Sequence, residues 1–110
     1  MKIAIPTQNF QITAHFGHCE NFAIVSVSDH TIEGIEYIDP PIHQPGVYPR
    51  FLGELGVNVI IAGGMGQKAR DLFDQQNIEV IVGAHGGTPQ ALVENYLDNT
   101  LEQGDNLCDH

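Results

Sequence analysis

Two short apolar runs, each closed by glycines and followed by a helical pattern, constrain this chain more than any other feature. Asn58-Val59-Ile60-Ile61-Ala62 reads as a strand buried on both faces and runs into Gly63-Gly64-Met65-Gly66, after which Met65, Ala69, Leu72 and Phe73 recur at helical spacing. Glu79-Val80-Ile81-Val82 repeats the strand signal and Gly83 to Gly87 the turn. Thr88-Pro89 then starts a helix, with Thr88 as N-cap and Leu92, Tyr96 and Leu97 facing inward. Strands alternating with helices pair in parallel, because each helix carries the chain back to the end of the sheet where the next strand must begin.

The first half reads differently. Lys2-Ile3-Ala4-Ile5 is a short strand expected to stop at Pro6, which lacks an amide donor. Residues 7–19 are polar, rich in His and without a sustained period, which predicts a loop. Phe22 to Val27 and Thr31 to Ile38 are β-favouring runs around Ser28-Asp29-His30 and predict an antiparallel hairpin. Asp39 to Gly46 holds three prolines and reads as a stiff extended loop. Pro49 suits the first position of a short helix with Phe51, Leu52 and Leu55 on one face and Gly56 as its left-handed stop. The sum is an α/β fold whose mixed five-stranded sheet joins an antiparallel hairpin to parallel strand–helix units. With 110 residues and 42% hydrophobic content there is material for one core, expected over residues 1–101, with 102–110 as a polar tail.

Charge narrows the function. Four Lys and Arg stand against 14 Asp and Glu, a net charge of −10. Nucleic acid and anionic membrane are therefore unexpected partners, since each phosphate contact needs a cation. The longest apolar run, Val59 to Ala62, falls far short of the roughly 20 residues of a membrane span. Met1 to Pro6 shows no signal-peptide core, so the cytoplasm is the expected compartment. In a reducing compartment Cys19 and Cys108 are expected as thiols or metal ligands, with a disulfide between them as the lesser alternative.

His15-Phe16-Gly17-His18-Cys19 places two imidazoles and a thiol within five residues, and Cys108-Asp109-His110 closes the chain with another of each. Thiolate with imidazole suits zinc, copper(I), iron and iron–sulfur clusters and suits calcium or magnesium poorly. His43, in the proline-stiffened loop, is a further candidate ligand. The competing reading makes His15 and His18 caps on loop carbonyls, Cys19 a small buried hydrophobe and the tail solvated. Gly63 to Gly66 leads from a strand into a helix, where unpaired amides favour an anion; the same glycines also serve simply to make the turn tight. Neither the dinucleotide fingerprint nor the P-loop is present. His85, in the second glycine turn, is a weaker candidate. A serine nucleophile has no elbow, and acidic surroundings would raise the thiol pKa of a Cys19 nucleophile, so hydrolytic catalysis has little support.

These segments resemble the dinitrogenase iron-molybdenum cofactor biosynthesis family. The likeness rests on the opening Met1 to Thr7 strand, on His15-Phe16-Gly17 followed by Phe22, on Gly56 through Gly66, and on the closing Thr88 to Leu97 helix. The resemblance implies a three-layer ribonuclease-H-like fold and a protein that binds or carries a metal–sulfur cofactor rather than turning over a substrate. Nuclease activity is not implied, because the acidic residues such nucleases place on the first strand have no counterpart between Lys2 and Pro6. Many relatives have Arg after His-Phe-Gly, where this chain has His18 and then Cys19. That departure resembles a stand-alone subgroup that also ends in Cys-Asp-His and carries a segment like His43-Gln44-Pro45-Gly46. It implies that His18, Cys19, His43, Cys108 and His110 converge as metal ligands, with His15 and Gly63, Gly64, Met65 and Gly66 cradling the cofactor. The metal, whether iron, molybdenum, copper or zinc, is left open, as is a mononuclear ion against a cluster. A cluster-assembly protein is the expected partner, and the Thr31 to Ile38 edge strand allows a homodimer. The alternative is a partner-binding module without metal; an enzyme using the metal as Lewis acid is least favoured.

Overall fold

Ile3, Ala4 and Ile5 are fully buried because the strand they form, β1 (Lys2–Gln8), runs through the middle of the sheet. The structure is a computed structural model that describes residues 1–14, 16–42, 44 and 46–101. The strand order is β4-β3-β1-β5-β6, built from β3 (Asn21–Ser28), β4 (Thr31–Ile38), β5 (Val59–Ile61) and β6 (Glu79–Ile81). A further strand of two residues, β2 (Gln11–Ile12), folds back on β1. β1 is antiparallel to β3, with Ile3 opposite Val25 and Ile5 opposite Ala23, and parallel to β5, with Ile3 opposite Val59. β6 continues the parallel half, with Ile60 opposite Val80. The sheet is mixed, as expected from the hairpin and the strand–helix units, but among the described residues it has six strands, not five.

Helices α1 (Val47–Glu54), α2 (Gln67–Gln75) and α3 (Pro89–Leu97) cover both faces. Side chains alternate between faces along a strand, so the sheet feeds two apolar clusters. Ile3, Ile5, Val25 and Ile61 meet Leu92, Val93 and Leu97 of α3 on one side. Ala4, Phe22, Ile24 and Ile60 meet Tyr48 and Leu52 of α1 and Phe73 of α2 on the other. Thr88 caps α3 as its sequence predicts, its hydroxyl accepting from the Ala91 amide at 3.3 Å. No helix among the described residues is long and apolar enough to cross a membrane.

Four local expectations are corrected. β1 does not stop at Pro6. The Pro6 carbonyl accepts from the Thr13 amide, and since a strand residue's N and C=O point to the same side, its missing donor faces away from β3, beyond the short reach of β5. Residues 7–19 are not one loop: β1 turns through Asn9 and Phe10, both at positive φ (55° and 63°), into β2. Two successive left-handed residues are what a two-residue hairpin needs. α1 begins two residues before Pro49, with Gly46 at φ 82° as its N-cap. Met65 precedes α2, whose N-cap is Gly66, and is fully buried in the turn. The predicted tail, 102–110, lies outside the described residues, as do His15, His43 and Pro45.

Candidate functional site

The parallel strands β1, β5 and β6 all run the same way, so the segments that follow them gather at one end of the sheet. Hydrogen bonds lock these segments together. The Gly83 amide donates to the Gly63 carbonyl at 3.0 Å, the Ile12 amide to Gly87 at 3.1 Å, and the Glu20 amide to Thr7 at 2.8 Å. Gly63 sits at the crossing. A Cβ there would lie 3.1 Å from the Ala84 carbonyl oxygen and 3.2 Å from the Ala14 backbone, so its side is already filled by protein. Gly64 and Met65 are buried as well. Gly66 alone of the four faces outward; among the described residues nothing lies within 4 Å of a Cβ there and no side chain caps the amides of α2.

The segment after β2 is riveted down by an aromatic ring. Phe16 opens a turn of 3-10 helix (Phe16–His18) and stacks edge-on with Tyr48 of α1 at 5.9 Å and Phe73 of α2 at 5.8 Å between ring centroids. Phe22 stacks on Tyr48 from below at 5.1 Å. His18 consequently projects from the end of that turn into solvent, whereas Cys19 turns into the apolar cluster with Phe22 and Tyr48. Burial pushes the Cys19 thiol up to about 11, against a smaller lowering by a backbone hydrogen bond, so it is neutral unless a metal or cation stabilises the thiolate. The Tyr48 hydroxyl is raised too, by burial and then by Cys19. His85 is exposed, its Nδ1 within 3.2 Å of the Gly83 carbonyl of its own turn.

Beside Gly66 and Phe16 lies a cavity of about 290 Å³, walled by Tyr48 and Pro49 of α1 and by Lys68, Ala69 and Leu72 of α2, with Gln44 and Gly46 at its edge. Its lining is almost wholly apolar, with Lys68 and Gln44 as the polar residues that border it, a setting suited to a body of low polarity. The structure therefore joins Phe16, Gly66 and this cavity in one place and sets Cys19 in the cluster beneath. It does not gather the predicted ligand set among the described residues, where no three His, Cys, Asp or Glu side chains lie close enough to hold a metal. His15, His43, Cys108 and His110 fall outside those residues, although Phe16 and Gln44, the chain neighbours of His15 and His43, line the cavity. Sequence reasoning read Ala69 and Leu72 only as a helix face and did not single out Tyr48 or Lys68. Lys68 had a usable signal: with only four Lys and Arg in the chain, a cation two residues past a glycine turn is informative.

Comparison with known proteins bears on the fold and the family. The chain is 33% identical over 108 residues to the uncharacterized protein MJ0580 of Methanocaldococcus jannaschii, covering 94% of this chain and 91% of that one. The crystal structure of PH0822 superposes with a TM-score of 0.88 at 22% identity, over 97% of this chain and 99% of that one. The apo form of the orange protein from Desulfovibrio gigas superposes with a TM-score of 0.76 at 22% identity, over 96% and 93%. At these identities the two structures speak for the fold. The family model described as dinitrogenase iron-molybdenum cofactor matches residues 1–99, and the chain belongs to that family.

Proposed function

We propose that this protein binds and carries a metal ion or a metal–sulfur cofactor of the iron-molybdenum type, as a non-catalytic accessory to metallocluster assembly in the cytoplasm. The observation that carries the reading is the cavity: an apolar cleft at the carboxyl ends of the parallel strands, bounded by the uncapped start of α2 and by Lys68. Family membership supports it, and so does the orange protein, a relative in fold whose structure is described as an apo form. The cofactor is cargo. Phe16 and Tyr48 would pack its body, the first amides of α2 with Lys68 would meet its negative charge, and His15, His18, Cys19, His43, Cys108 and His110 would supply soft donors. On this reading residues 1–101 are the domain, 102–110 the tail that brings Cys108 and His110, and the three layers are of the ribonuclease-H-like type. A cluster-assembly protein would deliver or receive the cargo.

The test is elemental analysis with a visible absorption spectrum on untagged protein purified without oxygen, before and after incubation with iron, zinc, copper, or molybdate plus sulfide. Stoichiometric metal that is lost in the Cys19→Ser, Cys108→Ser double variant supports the carrier. A second reading, a partner-binding module without metal, draws on the burial of Cys19 as a neutral thiol. It predicts no retained metal under any of these conditions and a double variant as stable as the parent.

A further inference from the structure

We propose that the free edge of β4 is a docking strand for a basic, extended segment of a partner protein, received between β4 and the outer face of α3. β4 pairs only with β3 among the described residues, and it is eight residues long. An exposed edge of that length presents a row of unused amides and carbonyls, which proteins ordinarily blunt with charged side chains, Pro, a β-bulge or a covering element. The sequence Thr31-Ile32-Glu33-Gly34-Ile35-Glu36-Tyr37-Ile38 contains neither Lys nor Pro. Its blunting is confined to Glu33, Glu36 and a bulge at Glu33, where the register slips opposite Ser26 and Val27.

The edge floors a hollow of about 510 Å³ whose other wall is α3, through Gln90, Glu94, Leu97 and Asp98. Gly34 lies in that floor. Among the described residues nothing stands within 4 Å of a Cβ there, and its φ is outside the left-handed region, so neither close packing nor a left-handed backbone calls for glycine. A glycine inside a strand weakens it and marks either a bulge, such as the one beside it at Glu33, or a place where another backbone comes close. An incoming strand on β4 is such a backbone: main-chain hydrogen bonds would hold it, and every second side chain would face α3.

Charge decides what comes in. Glu33, Glu94 and Asp98 line the hollow and no Lys or Arg does. A second copy of this chain, itself at −10, would be repelled, whereas a segment with Lys or Arg at alternate positions would place its cations against α3. Further along the same edge Tyr37 and Phe10 stack edge-on at 5.0 Å with much of both rings exposed, a platform that suits a cation. Glu33 and Gly34 sit at the end of β4 opposite Ser26, which pairs with Lys2 at the start of β1, so the hollow lies at the far end of the sheet from the cavity, while Tyr37 and Phe10 lie toward the cavity end.

The experiment is a titration of the ¹⁵N-labelled protein with a synthetic peptide alternating Lys or Arg with Val, and with its counterpart carrying Glu instead. The basic peptide should shift the amides of residues 30–36 and 90–98, and its affinity should fall about tenfold in Gly34→Val, in Glu94→Lys and on raising salt to about 0.5 M. Gly34→Val fills open space on an edge strand and should keep Tm at or above that of the parent; if it unfolds, Glu94→Lys on the exposed face of α3 decides. No shifts at β4, equal binding of the acidic peptide, unchanged affinity in Glu94→Lys, or dimerisation of the protein through β4 overturns the proposal. Metal content measured on the same samples should not change.

Discussion

A methyl group added at Gly63 would press on the Ala84 carbonyl and the Ala14 backbone at 3.1 and 3.2 Å, contacts that no flexible side chain can relieve by swinging away. Gly63→Ala is therefore expected to cost about 1–3 kcal/mol in chemical denaturation, as overpacking does. Gly66→Ala meets open space at an ordinary φ of −68° and should stay within about 0.5 kcal/mol of the parent. Equal losses at the two positions would sink this division between a glycine that packs and one that faces the cavity. Cys19 tests burial through chemistry. Burial lifts its folded pKa to about 11, above the ordinary value of a thiol near 9.0, so the neutral thiol is the form favoured by folding. Its contribution is then fully present below pH 9 and lost as pH rises toward 11. In metal-free Cys108→Ser protein the rate of iodoacetamide alkylation should still be climbing above pH 9, and Cys19→Ala should flatten the alkaline fall in stability. A rate that levels off by pH 9 would show an exposed, ordinary thiol.

Phe16 does at the level of elements what Gly63 does at the level of atoms. It ties the 3-10 turn that follows β2 to α1 and α2 at once, through Tyr48 and Phe73. Because Phe16 is only partly buried, Phe16→Ala should cost less than the 3–5 kcal/mol typical of a core phenylalanine, about 1–3 kcal/mol. Hydrogen exchange should accelerate at residues 16–20 while β1 stays protected; uniform loss of protection would mean that Phe16 supports the whole core. The elements that sequence made legible are those with a full period. β5 and β6 are apolar runs between glycines, the β3–β4 hairpin alternates around Asp29 and His30, and α3 carries its own cap at Thr88. The β1–β2 hairpin was hidden because its turn is Asn-Phe, and a bulky residue at φ 63° is one that propensity argues against. Pro6 misled because whether a proline interrupts a strand depends on which neighbour its nitrogen faces, which only the register reveals. The site was legible as a motif, His-Phe-Gly, without its geometry. Its aromatic anchor packs on helices 32 and 57 residues further along, at Tyr48 and Phe73.

Charge is unevenly divided over the molecule as a whole. Of the four cations, Arg50, Lys68 and Arg70 belong to α1 and α2, and Lys2 donates to the Leu55 carbonyl just past α1. α3 and β4 carry no cation, only Glu33, Glu36 and Glu94. A strongly acidic protein that keeps its cations on the cavity side of the sheet can hold an anionic cargo there while the other side attracts basic partners. Lys68 separates a bare cation from an anionic metal–sulfur species as the cargo. For an anionic species, Lys68→Gln removes the charge nearest the start of α2 and should lower retention of metal from molybdate plus sulfide several-fold, more at low salt than at high. The affinity for Zn²⁺ should stay level or rise, since the same change removes a repulsion. If both fall together the substitution has damaged the cavity; if Zn²⁺ alone is retained by parent and variant, the cargo is a cation and Lys68 does not serve it.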